Sequence, residues 1–169
     1  MRYTSAEAGK LLKKLNEERD ALAQKEARSS TFLVSLGEDA ESVRPDYNYQ
    51  EMQEALAELE RKIRIVKHAI NCFNLNQTVP GFDMTIDQML VYIPQLTARK
   101  RKLAGMKDRL PKQRETDMIG TSSNIIDYSY ANYDIALTEK DFEAVSDELA
   151  RAQTALDVVN NIETMEIVL

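Results

Sequence analysis

Tryptophan is absent from this chain, and cysteine and histidine occur once each, as Cys72 and His68. A single cysteine excludes an intrachain disulfide and fits a reducing compartment. With no second cysteine or histidine, a metal at His68 and Cys72 would need carboxylates for its other ligands, and no metal site is expected. Glycine (5) and proline (4) are scarce in 169 residues, so turn formers are few and helix is favoured. No apolar run approaches the ~20 residues that a membrane span needs. The opening stretch "MRYTSAEAGKLLKKL" has no apolar core of the secretory kind, so no signal peptide is expected. There is no glycine-rich phosphate loop, no histidine-based zinc motif and no Gly-x-Ser-x-Gly elbow. These absences argue against an enzyme, a cofactor or a small-molecule ligand, and for a cytoplasmic protein.

What is present is ordinary globular composition, with 43% hydrophobic and 30% charged residues. The net charge of -6 disfavours general attraction to nucleic acid or anionic membranes. Apolar residues recur at helical spacing. Met52, Leu56, Leu59, Ile63, Val66, Ile70 and Phe73 step alternately by four and three, the pattern of a helix packed lengthwise on a partner. Met89, Leu96, Leu103 and Leu110 repeat every seven, and Phe142, Val145, Leu149, Ala152, Leu156 and Val159 give a further seam. Ala8, Leu11, Leu12, Leu15 and Leu22 are followed, after an interruption at Glu26 and Arg28, by Phe32, Leu33 and Leu36.

Each seam opens on a capping signal: Thr4 before Glu7, Asn48 before Glu51, Thr85 before Gln88, Thr138 before Asp141. Gly37, the Pro80-Gly81 turn and Pro111 supply the stops. The spacing predicts helices over 4–36, 48–76, 85–110 and 138–163, with a kink at Pro94 or a short helix ending near Tyr92. Residues 1–169 read as a single helical domain. The fold expected is mainly all-α: four long antiparallel helices with coiled-coil-like packing, plus a small β-hairpin or extended segment near 116–135.

That last segment breaks the helical pattern. In "IIDYSYANYDI", Ile126, Tyr128 and Tyr130 alternate with Asp127 and Ser129, the strand period in β-favouring residues. Residues Gly120 to Asn124 would form a loop pairing Asp117–Ile119 with Ile125–Asp127. An isolated hairpin is marginal in water. Tyr128, Tyr130 and Tyr133 are therefore expected to anchor it on helices or across a subunit contact. A second candidate is the basic stretch 99–114, led by Arg99, Lys100, Arg101 and Lys102, with Asp108 its only acid. It suits phosphates, or the acidic run Glu51, Glu54, Glu58 and Glu60 of another helix. His68 and Cys72, four apart, share a helix face; Cys72 reads as a small buried residue and His68 as a neighbour of Ile70 and Phe73. Asn71, Asn74 and Asn76 read as helix-end and turn residues, or as a buried polar network.

The stretch "AINCFNLNQTVPGFDMTIDQMLVYIPQLTARKRKL", with the later "YSYANYDI", resembles the septicolysin-like family of small bacterial helical proteins. The resemblance covers roughly 63–163. It places Asn71, Asn74 and Thr85 at the family's recurrent positions and supplies no catalytic residue. The chain departs from the family at its end, where Asn160-Asn161 is followed by "IETMEIVL" instead of an Asn-Trp pair. The family label implies a pore-forming toxin, which the lack of a signal peptide and of disulfides argues against. The reading that remains is a non-enzymatic helical protein that self-associates. A nucleic-acid-binding module and a pore-forming toxin are its alternatives.

Overall fold

A computed structural model describes residues 1–114 and 127–169. The protein is mainly helical, in the order β1 (Arg2–Thr4), α1 (Ser5–Ser29), α2 (Ala40–Val43), α3 (Tyr49–Asn76), α4 (Ile86–Lys107), β2 (Lys112–Arg114), β3 (Tyr128–Tyr130), α5 (Ile135–Ile162) and β4 (Thr164–Glu166). It divides into two compact units, Met1–Gln77 with Val158–Leu169, and Thr78–Asp157.

The first unit is built on α1 and α3. Thr4 opens α1 with a reciprocal cap: its hydroxyl accepts from Glu7 N, and the Glu7 carboxylate accepts from Thr4 N. Asn48 opens α3 by accepting from the amides of Gln50 and Glu51. The two helices run antiparallel. Near the end of α1, Glu26 Oε1 accepts from the Tyr47 hydroxyl and the Gln53 amide, while the start of α1 meets the second half of α3. There Ala8, Leu15 and Val66 form the core with Met165 and Ile167, and Leu11, Ile63, Ile70 and Phe73 pack around it. Ala8 and Val66 are completely buried; the small Ala8 side chain lets the neighbouring backbone approach. β1 pairs antiparallel with β4, Tyr3 opposite Met165. Alternation along β4 sends Met165 and Ile167 inward and leaves Thr164 and Glu166 exposed.

The first helix stops short of the predicted 36. Ser30 caps it, its N–H donating to Glu26 O. Ser29, Ser30 and Thr31 offer side-chain partners to the backbone and disfavour helix continuation. Gly37 lies instead in the following turn, at φ 90°, a conformation that favours glycine. Phe32, Leu33 and Leu36, placed by periodicity on the helix, therefore fall in an irregular connection.

The second unit begins with a tight turn. Val79 N donates to Met84 O, and Thr78 bridges Thr85. Gly81 sits within it at φ 79°, a value glycine adopts without strain. Thr85 then caps α4 with Gln88 in the predicted reciprocal pattern. α4 continues through Pro94, so no short helix ends near Tyr92. Its inward row is Ile86, Met89, Leu96 and Leu103. Leu110 is exposed, because the helix ends at Lys107 with Asp108 as its cap. α5 runs antiparallel to α4: Tyr92, early in α4, meets Glu148, while Lys107 at its end lies over the ring of Phe142. Val145, Leu149, Ala152 and Leu156 are its buried apolar positions in this unit.

α5 starts earlier than the predicted Thr138. Asp134 Oδ1 accepts from Ala136 N and Leu137 N, the role of an N-cap side chain. Thr138 is buried inside the first turn and donates to Asp134 O. An antiparallel pair does form, between β2 and β3, with Lys112 opposite Tyr130, Gln113 opposite Ser129 and Arg114 opposite Tyr128. The predicted pairing of Asp117–Ile119 with Ile125–Asp127 falls, apart from Asp127, outside the described residues. Among the described residues no helix is long and apolar enough to cross a membrane.

Candidate functional site

The predicted tyrosine segment and the predicted basic stretch meet in the second unit. The chain leaves α4 through Arg109 and Pro111 and enters β2. Ala131 N donates to Pro111 O, and the Tyr133 hydroxyl donates to Met106 O, 2.8 Å away. The second bond ties the segment after β3 to the last turn of α4, where Met106 O also accepts from Arg109 N. Tyr133 is half-buried, with its hydroxyl bonded to α4.

Tyr128 and Tyr130 do something different. They share one face of β3 and are exposed, at 46% and 65%. Lys112 Nζ instead stands 4.1 Å from the Tyr128 ring centroid and 5.3 Å from that of Tyr130, inside the range of a cation–π contact. The other face of the ribbon carries the cross-strand pair Gln113 and Ser129. Both border a cavity of about 280 Å³ that is also lined by Arg109 and Tyr130.

The four residues of the predicted basic patch divide. Lys100 turns toward α5, its Nζ 5.7 Å from the Phe142 ring centroid. Arg99, Arg101 and Lys102 are exposed. None of the four belongs to an ion pair among the described residues. The acidic run weighed as their partner is engaged elsewhere at Glu58, which pairs with Arg61 and Lys62 of its own helix. Lys107 is held by Asp108 at 2.9 Å, and that hydrogen bond raises its pKa. Periodicity concealed the parts played by Arg109 and Lys112. Their place beside the tyrosines depends on the β2–β3 register, and the sequence pattern suggested a different one.

Other predicted positions come out as follows. His68 and Cys72 do share a face, with Sγ 3.5 Å from Nε2, but both are exposed; Cys72 is not the buried residue expected. Position 72 lies two residues from Ile70 and one from Phe73, far enough around the helix to leave the apolar side. Asn76 donates to Cys72 O, a helix-end bond of the expected kind. Asn74 Oδ1 is buried without a hydrogen-bond partner. A shallow, mostly apolar cleft of about 460 Å³ lies between the 80–82 turn and α5, with Arg151 and Thr154 on its wall. The Thr154 hydroxyl is committed to Ala150 O. Among the described residues no cluster of three or more histidines, cysteines or carboxylates is placed to hold a metal.

No protein-family profile matches the chain, and no curated protein matches it. A solved structure does: the crystal structure of a functionally unknown conserved protein from Corynebacterium diphtheriae. It is 17% identical, and the match covers 98% of this chain and 100% of that one with a TM-score of 0.61. At that identity the likeness shows the fold alone.

Proposed function

We propose that the protein is a non-enzymatic helical interaction protein that self-associates. The supporting observation is the connection between α1 and α2. Leu33 and Leu36 are almost wholly exposed, at 96% and 108%, with Val34 beside them at 42%. Single exposed leucines are common, but a run of them marks a contact surface. The α3 seam adds to this: Met52 and Val66 are buried, whereas Leu56, Leu59, Ile63, Ile70 and Phe73 are only half-covered.

Light scattering on the purified chain at micromolar concentration should give a mass above 19.3 kDa. Leu33→Ser with Leu36→Ser should return it to that mass without loss of helical circular dichroism, since neither side chain is in the core. A wild-type chain that is monomeric at that concentration excludes the proposal.

A further inference from the structure

We propose that the β2–β3 ribbon and the end of α4 form a binding surface for single-stranded nucleic acid. Two independent features converge there. One is the pair of exposed rings, Tyr128 and Tyr130, on one face of a strand. Their spacing along the strand is roughly 7 Å, so each can take one base of a run of nucleotides. Lys112 Nζ stands near both rings, 4.1 Å from one centroid and 5.3 Å from the other. The other feature is the density of cations. Lys112 is cross-strand from Tyr130 and Arg114 is cross-strand from Tyr128, while Arg109 borders the cavity on the Gln113–Ser129 face. Lys102 is exposed on α4, five residues before its last residue, Lys107. Arg99 and Arg101 are exposed on the same helix.

Aromatic faces on a cationic track are the elements by which proteins hold single strands: stacking accepts any base, and the cations follow the phosphates. A duplex offers phosphates but keeps its bases stacked, so the tyrosines favour the single strand. An acidic protein partner would use the cations and leave the two rings without a role. The chain's net charge of -6 does not oppose this locally. Asp108, the one acid between Arg99 and Arg114, is engaged with Lys107. Asp127, next to Tyr128, is the nearby exposed carboxylate that a phosphate would meet.

The test is fluorescence anisotropy with a labelled twenty-nucleotide oligothymidylate, its RNA counterpart and a duplex of the same length, using the full chain at low salt. Single strands should bind more tightly than the duplex. Their affinity should fall with salt at a log–log slope of about -2, as expected when about three phosphates are neutralised. Tyr128→Ala with Tyr130→Ala should weaken binding at least about tenfold. Tyr128→Phe with Tyr130→Phe, which keep the rings, should not. Lys112→Gln with Arg114→Gln should weaken binding and flatten the salt slope. Asp127→Asn should tighten it. All these side chains are exposed, so circular dichroism and melting temperature should hold. The proposal is overturned if no oligonucleotide binds at low salt. It is equally overturned if duplex binds as well as single strand, if polyglutamate competes as well as the oligonucleotide, or if the double alanine variant binds like wild type.

Discussion

Tyr92 of α4 donates its phenolic hydrogen to the carboxylate of Glu148 on α5, joining positions 56 apart in sequence. Both side chains are half-buried. The hydrogen bond to Glu148, and secondarily burial, raise the tyrosine pKa, while the positive charges of Arg99 and Arg151 act against it.

Tyr92→Phe should therefore destabilise the protein by about 1 kcal/mol, since a carboxylate loses a charge-assisted donor. That corresponds to a fall of ~2–4 °C in melting temperature for a chain of this size. The sign with pH follows from the raised pKa. A phenol that holds its proton more tightly when folded adds stability at pH below the ordinary value of 10.0. That contribution is lost as pH rises through the raised value. Melting wild type and Tyr92→Phe side by side should show a gap at neutral pH that closes in strong alkali. A gap independent of pH would mean that the bond contributes nothing.

The tyrosines around β3 should separate into two classes by stability. Tyr133→Phe removes the donor to Met106 O and should cost about 1 kcal/mol. Tyr133→Ala should cost more, through lost packing. Tyr128→Ala and Tyr130→Ala should stay within about 0.5 kcal/mol of wild type, as exposed positions do. Thermal melts of the single variants decide it. Equal losses at all three positions would show that the exposed rings are structural after all.

That contrast shows what could be read in the sequence. The 3.6-residue period located α3, α4 and most of α5, because burial on one face leaves its mark at every turn. The caps at Thr4, Asn48 and Thr85 form as read, because each is a local pattern with a local partner. The failures are non-local or depend on competition. β1 and β4 are too short to carry a period and exist because the segments at Tyr3 and Met165 come together in space. The end of α1 depends on Ser29, Ser30 and Thr31 outweighing the apolar Phe32, Leu33 and Leu36. For the candidate site, strand alternation placed Tyr128 and Tyr130 on one face. Which residues face them across the ribbon depended on register, and with it the role of Lys112.

The start of α5 is a direct case of two competing caps. Asp134 receives the amides of Ala136 and Leu137, whereas the sequence signal pointed to Thr138 and Asp141. Asp134→Ala should cost about 1 kcal/mol, and Asp141→Ala, at an exposed position inside the helix, close to nothing. Thr85→Ala, at a cap read correctly, serves as the reference and should cost about as much as Asp134→Ala. Denaturant unfolding of the three variants gives the order. A larger loss at Asp141 than at Asp134 would restore the later start.

Glu58 and Arg61 lie one helical turn apart on α3, and the guanidinium grips the carboxylate with both Nε and Nη2, at 2.8 and 2.9 Å. This lowers the carboxyl pKa from 4.5 to about 2; the hydrogen bond from Arg61 is the main cause, desolvation opposes it, and the charges of Arg61 and Lys62 add to the lowering. A carboxyl whose pKa is depressed by folding contributes stability at pH above 4.5. That contribution is lost as pH falls toward 2. The pair is solvent-exposed, so its effect on global stability is small and its titration is the sharper observable. A carboxyl-detected NMR titration should place the Glu58 midpoint near 2. Arg61→Gln should move it most of the way back to 4.5, and Lys62→Gln much less, because the dominant cause is a bidentate bond and not the summed charge. Added salt should raise the midpoint only in part, since screening weakens the exposed charges but leaves the short bonds in place. Equal shifts from the two substitutions would mean that charge alone, and not the geometry of the pair, holds the carboxylate ionised.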